Sequence, residues 1–167
     1  FEAIADANGA LGCAKSHETV LSSASILEDQ LLMICEDDCQ FIADRAAIDA
    51  AIEEFFYNPH LDVLCLAYNA ENGFAISQNL MITSDTQTMS SYILKAPAIA
   101  PVLDSVRFSV DNLSRGGRDM TMRLTGFGSD CSGRCFSPSQ KIISPGSGRL
   151  FQTSKKVIKI MAYDTRR

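Results

Sequence analysis

The sequence predicts an α/β domain, and three observations predict it. Apolar runs of strand length, Gln30–Cys35 and Leu61–Ala67, alternate with segments whose apolar residues recur at helical spacing. Capping and turn residues punctuate the boundaries between them. The chain also holds 46% hydrophobic and 21% charged residues over 167 positions, enough to bury one sizeable core and too apolar for a disordered segment. The expectation is a single domain over residues 1–167, with an irregular C-terminal part from about residue 126.

Taken in order, Ser16 is expected to cap a helix through His17–Leu27. Gln30–Cys35 (QLLMIC), bounded by acids on both sides, reads as a buried strand. Asp44 caps a second helix, in which Ile48, Ala51, Ile52, Phe55 and Phe56 form one apolar face. Asn58-Pro59 ends it, because proline cannot continue the hydrogen-bond ladder. Leu61–Ala67 (LDVLCLA) is the second buried strand, and Tyr68–Gly73 reads as a turn-rich loop. Leu80–Thr83 and Ser90–Leu94 read as shorter strands forming a hairpin around Asp85. Pro97 opens a helix over 97–105, weakened by Pro101. From Asn112 onward, repeated glycines imply loops with only brief regular elements.

Composition removes several function classes. Apolar runs such as Leu31–Cys35 fall far short of the ~20 residues that span a bilayer. Residues 1–62 hold 13 acids against 2 bases, whereas 141–167 hold 7 bases against 1 acid. An acidic half attracts a divalent cation and a basic tail meets phosphate or an anionic surface, unless both are simply solvated faces. Nucleic acid is not an expected partner, since the basic residues lack interleaved aromatics and the net charge is -5. The chain starts at Phe1 without a basic and apolar leader, so the expectation is that it begins inside a longer protein. Its six cysteines form no CxxC pair. Cys35 and Cys65 fall within apolar runs, and Cys131 and Cys135 would pair only in an oxidising compartment.

The pattern that carries chemistry is the strand followed at once by Glu36-Asp37-Asp38. Three consecutive carboxylates repel one another unless a cation compensates. Ligands of open α/β sheets gather at the carboxyl ends of strands, where this cluster falls. In an extended segment residues i and i+2 share a side, so Glu36 and Asp38 are the expected metal pair. Hard carboxylates suit Mg2+ or Mn2+, which would neutralise a departing diphosphate. A solvated acidic turn is the plain alternative.

Gly9-Ala-Leu-Gly-Cys-Ala-Lys-Ser-His17, followed about a helix later by LLMICEDDCQF, resembles glycosyltransferase family 25. That family includes lipopolysaccharide-biosynthesis and collagen hydroxylysine galactosyltransferases. Its Gly-x-Gly-Cys-x-x-Ser-His segment, helix and apolar strand ending in Glu-Asp-Asp match Gly9, Gly12, Cys13, Ser16, His17 and Glu36–Asp38, with Phe41 as the following aromatic. Leu61–Leu66, Thr88–Leu94 and Ala96–Val106 extend the likeness, which covers roughly residues 9–125.

The resemblance implies a GT-A nucleotide-sugar-binding α/β/α sandwich, here lacking the family's first strand. It implies inverting transfer of a hexose, often galactose, from a UDP-sugar donor to a glycan, lipid-linked saccharide or hydroxylated side chain. The implied metal is Mn2+ or Mg2+ at Glu36 and Asp38, with Ser16, His17, Asp37 and Thr88 serving the nucleotide. Asp119 is the implied base or acceptor contact, with Asp111 as runner-up; such a base deprotonates the acceptor hydroxyl. His17 reads equally as a structural residue; Thr88 and Tyr92 are candidates to line the pocket but read first as core strand positions, and Lys15 reads first as a surface lysine and second as a phosphate partner. The chain departs from the family in its short stretch before Gly9 and in Ile143–Leu150, where the family's Ser-Asp pair is missing. Those departures favour a catalytically inactive binding module as the alternative. A metal-dependent phosphohydrolase is a third reading of the same carboxylates. Bacterial relatives suggest the cytoplasm and peripheral membrane contact, and animal relatives the secretory lumen.

Overall fold

The computed structural model describes residues 1–37, 39–117, 141–145, 151–153 and 158–164, with side chains described up to residue 117 except at 68–73 and 83–88. The fold is mixed α/β. Among the described residues, three helices, α1 (Gly9–Ser23), α2 (Arg45–Tyr57) and α3 (Ala96–Ser114), accompany strands β1 (Gln30–Glu36), β2 (Cys39–Phe41), β3 (Leu61–Ala75), β4 (Leu80–Lys95), β5 (Lys141–Pro145), β6 (Phe151–Thr153) and β7 (Ile158–Asp164).

The main sheet has the order β3-β5-β4-β1-β7, with β3 also paired to β4. Its pairings are antiparallel except β3 with β5. The sheet is thus largely antiparallel, and its hairpin β3–β4 needs no crossover helix. β2 and β6 form a separate two-stranded ribbon.

Strand pleating explains why β1 reads as a continuous apolar run. Alternate residues point to opposite faces, and both faces of β1 are covered. Leu31, Met33 and Cys35 pack with Ile48, Ala51, Ile52 and Phe55 of α2. Leu32 and Ile34 pack with Val20 and Leu21 of α1 and Ala98, Val102 and Val106 of α3. Helix α2 thus covers one face, and α1 and α3 the other. The same parity assigns Glu36 to the α1 side.

Three boundaries differ from the sequence reading. Helix α1 starts at Gly9, capped by Asn8, whose side chain accepts from Ala10 N and Leu11 N. Ser16 is mid-helix, and its hydroxyl donates to Gly12 O at 2.8 Å rather than capping. Glycine 12 is tolerated in the helix because the N-terminal segment crosses it closely: a Cβ there would stand 2.6 Å from Ile4 O.

The second difference is the hairpin. Residues 68–73, read as a loop, continue β3 to Ala75, and β4 runs unbroken through Asp85, which pairs with Asn72. The Asn/Gly signal marks register shifts within the strand rather than its end. The turn itself is made by Ser77, whose Oγ accepts from Asn79 N and Leu80 N, each at 3.0 Å. The third is α3, which runs to Ser114 despite Pro101. Its buried stripe of Ala98, Val102, Val106, Ser109 and Leu113 outweighs the single backbone bond that proline removes. Helix α2 begins as expected, with Asp44 accepting from Ala47 N at 2.8 Å. Among the described residues beyond 126, β5, β6 and β7 are brief regular elements.

Candidate functional site

Helix α1 and the end of β1 converge on one small polar cluster inside an apolar layer. Cys13 and His17 are one helical turn apart, so they share a face of α1. Glu36 follows Leu32 and Ile34 on the α1 side of the pleat. Cys13 Sγ donates to Glu36 Oε1 at 3.4 Å. His17 Nε2 lies 3.7 Å from the same oxygen, within ion-pair range and beyond a hydrogen bond. The donor atoms of the three residues all lie within 4.8 Å of one another.

Tyr92 fixes the imidazole from the far side. Its hydroxyl is 3.0 Å from His17 Nδ1, and the two rings are 5.7 Å apart between centroids. Tyr92 is fully buried and His17 only 2% exposed. Burial and the neighbouring Cys13, Cys65, Glu36 and Cys35 push the Tyr92 phenol well above its ordinary value, so it stays protonated. The His17 imidazole holds the Glu36 carboxyl below the usual carboxylate range, with help from the Cys13 thiol and against the opposing effect of burial. With Nδ1 occupied by Tyr92, His17 Nε2 has no hydrogen-bond partner among the described residues. A buried ring nitrogen so placed is available to an incoming donor or electrophile.

Neither a family model, nor a curated protein, nor a solved structure matches the chain. The site therefore stands on its own geometry and on the residue pattern.

The expected site residues are distributed unevenly. His17 and Glu36 come together. Ser16 is fully buried, and its hydroxyl accepts from Ile4 N at 2.8 Å while donating to Gly12 O. Lys15 pairs with Asp6 at 2.8 Å, so both residues tie the N-terminal segment to α1. Asp37 is half-buried in the turn after β1. Because β1 ends at Glu36, the extended geometry invoked for Glu36 and Asp38 does not continue through residue 37. Asp38 and Asp119 lie outside the described residues, as do Cys131, Cys135 and most of the Ile143–Leu150 segment. Thr88 belongs to β4, its side chain outside the described set. Asp111 is exposed on α3.

The sequence reading gave two participants other roles. Cys13 was counted as part of a motif and not as a donor, although its i, i+4 relation to His17 signals a shared face. Tyr92 is a core residue by its pattern; only the strand pairing Ile34↔Tyr92 brings it beside α1. On the opposite face, Cys35 Sγ is 3.1 Å from Ser91 Oγ. Hydrogen bonds from Cys39 and then Ser91 lower the Cys35 thiol to about 7 against the effect of burial.

Proposed function

We propose that the chain is the donor-binding core of an inverting, metal-dependent hexosyltransferase. It would move a hexose, galactose foremost, from a UDP-sugar to a glycan, lipid-linked saccharide or hydroxylated side chain. One observation supports this reading above the rest: Cys13 and His17 of the Gly-Cys-x-x-Ser-His segment meet Glu36 of the Glu-Asp-Asp segment. These are the two segments that carry the family resemblance.

In this reading Glu36 and Asp38 would hold Mn2+ or Mg2+, for which carboxylate oxygens are suitable hard ligands. Glu36 keeps a 20% exposed side chain while its Oε1 faces α1, so the carboxylate spans interior and surface. The bound ion would supply charge neutralisation to the departing nucleoside diphosphate. Asp37, His17 and Thr88 would border the nucleotide, and Ser16 would act by holding the Ile4 backbone beside it. Asp119, or else the exposed Asp111, would take the proton of the acceptor hydroxyl. Among the described residues no helix is long and apolar enough to cross a membrane. The cytoplasm, with peripheral membrane contact, is the compartment this reading carries.

Calorimetric titration with uridine diphosphate, with and without Mn2+, tests the reading. The expected result is metal-dependent binding that Asp38→Ala abolishes. Absence of binding under every condition overturns the donor site.

A further inference from the structure

We infer that Cys13, His17 and Glu36 form a transition-metal site of zinc type, which shares Glu36 with the carboxylate Mn2+ or Mg2+ site proposed above but differs from it in donor chemistry. The inference does not rest on the glycosyltransferase reading. It rests on three donors of different elements closing on one point and on a buried imidazole nitrogen aimed into it.

Zinc takes thiolate, imidazole and carboxylate ligands at about 2.0–2.3 Å in tetrahedral array, which sets ligand atoms about 3.3–3.6 Å apart. Cys13 Sγ to Glu36 Oε1 is 3.4 Å and His17 Nε2 to Glu36 Oε1 is 3.7 Å. All three pairs fall within 4.8 Å, close to the separations that tetrahedral ligands require. A mixed sulfur, nitrogen and oxygen set selects Zn2+ or Co2+ over Mg2+, which demands oxygen ligands.

The surroundings are those of a metal-bound histidine. Such a residue presents one ring nitrogen to the ion and anchors the other on a protein group. Here Nδ1 meets the Tyr92 hydroxyl at 3.0 Å. In the tautomer that would bind a metal, Nδ1–H donates to the Tyr92 hydroxyl and leaves Nε2 as the ligating nitrogen. Nε2 is buried without a hydrogen-bond partner, which in a polar cluster calls for a ligand. Cys13 and Glu36 are only half-buried, so the cluster borders solvent. Binding replaces the Cys13 S–H proton by the metal and releases that proton to solvent, while the Glu36 carboxylate and the lone pair of His17 Nε2 complete the protein ligands. The ion would clamp α1 to the end of β1 and fix the root of the Glu-Asp-Asp turn.

The experiment uses the whole chain, stripped with a chelator and titrated with Co2+ in the absence of nucleotide. The expected result is a thiolate-to-cobalt charge-transfer band with tetrahedral visible bands, both bleached by Zn2+. Cys13→Ser removes the charge-transfer band, and Cys39→Ser leaves it intact. Tyr92→Phe weakens affinity about 10–100-fold. Should Cys13→Ser not fold, the unmodified chain supplies the second readout, alkylation mapped by mass spectrometry with and without Zn2+. Zn2+ is expected to protect Cys13 and not Cys39. Absence of a thiolate band, its persistence in folded Cys13→Ser, or equal alkylation of Cys13 with and without Zn2+ overturns the inference. Loss of nucleotide binding alone bears on the donor site and leaves this one standing.

Discussion

His17 Nε2 and Glu36 Oε1 face each other across 3.7 Å, one on α1 and the other at the last position of β1. The imidazole belongs to the interior and the carboxylate to its border. The imidazole is 2% exposed and the carboxylate side chain 20%, so their interaction is only partly screened by water. That pairing links the apolar layer between helices and sheet to the acidic turn that follows.

A pH dependence follows from the depressed Glu36 carboxyl. A carboxyl whose folded value lies below its unfolded value stabilises the fold above the unfolded value. That stabilisation is lost as pH falls through the folded value. Stability should therefore decline on acidification below about pH 4.5, the ordinary range of a glutamate. Urea unfolding at a series of acidic pH values checks this. Glu36→Gln should be less stable than the parent at neutral pH and should show a shallower acid slope. An identical slope in the variant would remove Glu36 from the account.

Tyr92→Phe tests the other side of the imidazole. The substitution keeps the ring in the core but deletes the hydroxyl 3.0 Å from His17 Nδ1. A buried polar atom deprived of its partner costs about 1–3 kcal/mol. Denaturant unfolding at neutral pH should show a loss of that size with an unchanged m-value, since no surface is newly exposed.

The α/β class and the first half of the chain were legible because local and tertiary preferences agree there. Gln30–Cys35 is apolar on both faces, and both faces are in fact covered. Asp44 caps α2 as its residue type suggests. Ser16 misled, because serine is favoured at helix starts, whereas here its hydroxyl serves the Gly12 and Ile4 backbones inside α1. The hairpin tip was misplaced for a similar reason: asparagine and glycine at 69–73 signal a turn, while pairing with β4 draws them into the strand. At the site, the converging Glu36 and His17 were legible as motif residues. Tyr92 was legible only as a core or pocket-lining strand residue and the thiol of Cys13 only as part of a motif, since their partnership with His17 and Glu36 arises from the register of β1 against β4 and the rotation of α1.

Thiol reactivity should follow burial and local hydrogen bonding. Burial pushes Cys65 up to about 12, and the residue is 1% exposed. Cys35, although lowered to about 7, is only 4% exposed. The thiolate is the reactive species, but it must also be reached. Brief treatment with iodoacetamide at neutral pH should modify the half-buried Cys13 and Cys39 first and Cys35 more slowly. Cys65 should react only after unfolding. Peptide mapping by mass spectrometry gives the order, and early modification of Cys65 would contradict the packing of β3.

Phe55→Ala probes the opposite face of the sheet. Phe55 is fully buried on α2, with Lys95 Nζ 4.9 Å above its ring and donating to Asn58 O at 2.7 Å. Truncation leaves a cavity between α2 and β1, and such changes cost about 3–5 kcal/mol. Thermal and urea unfolding should both register the loss.

Gly12→Ala tests whether the helix face beside the site is built to receive the N-terminal segment. The added Cβ would meet Ile4 O at 2.6 Å and Asp6 Cβ at 3.2 Å. Backbone cannot yield as a flexible side chain does, so the segment must move outward. That movement breaks the 2.8 Å bond from Ile4 N to Ser16 Oγ and strains the Lys15–Asp6 pair. The loss of the buried bond and the overpacking together should cost about 1–3 kcal/mol. The better helix propensity of alanine opposes this by about 1 kcal/mol, so the net effect remains destabilising. Amide exchange should separate local from global effects. Protection at Ile4 is expected to fall strongly, while that of the β1 core falls only by the global loss. Unchanged protection at Ile4 would mean that the segment is not held by this face of α1.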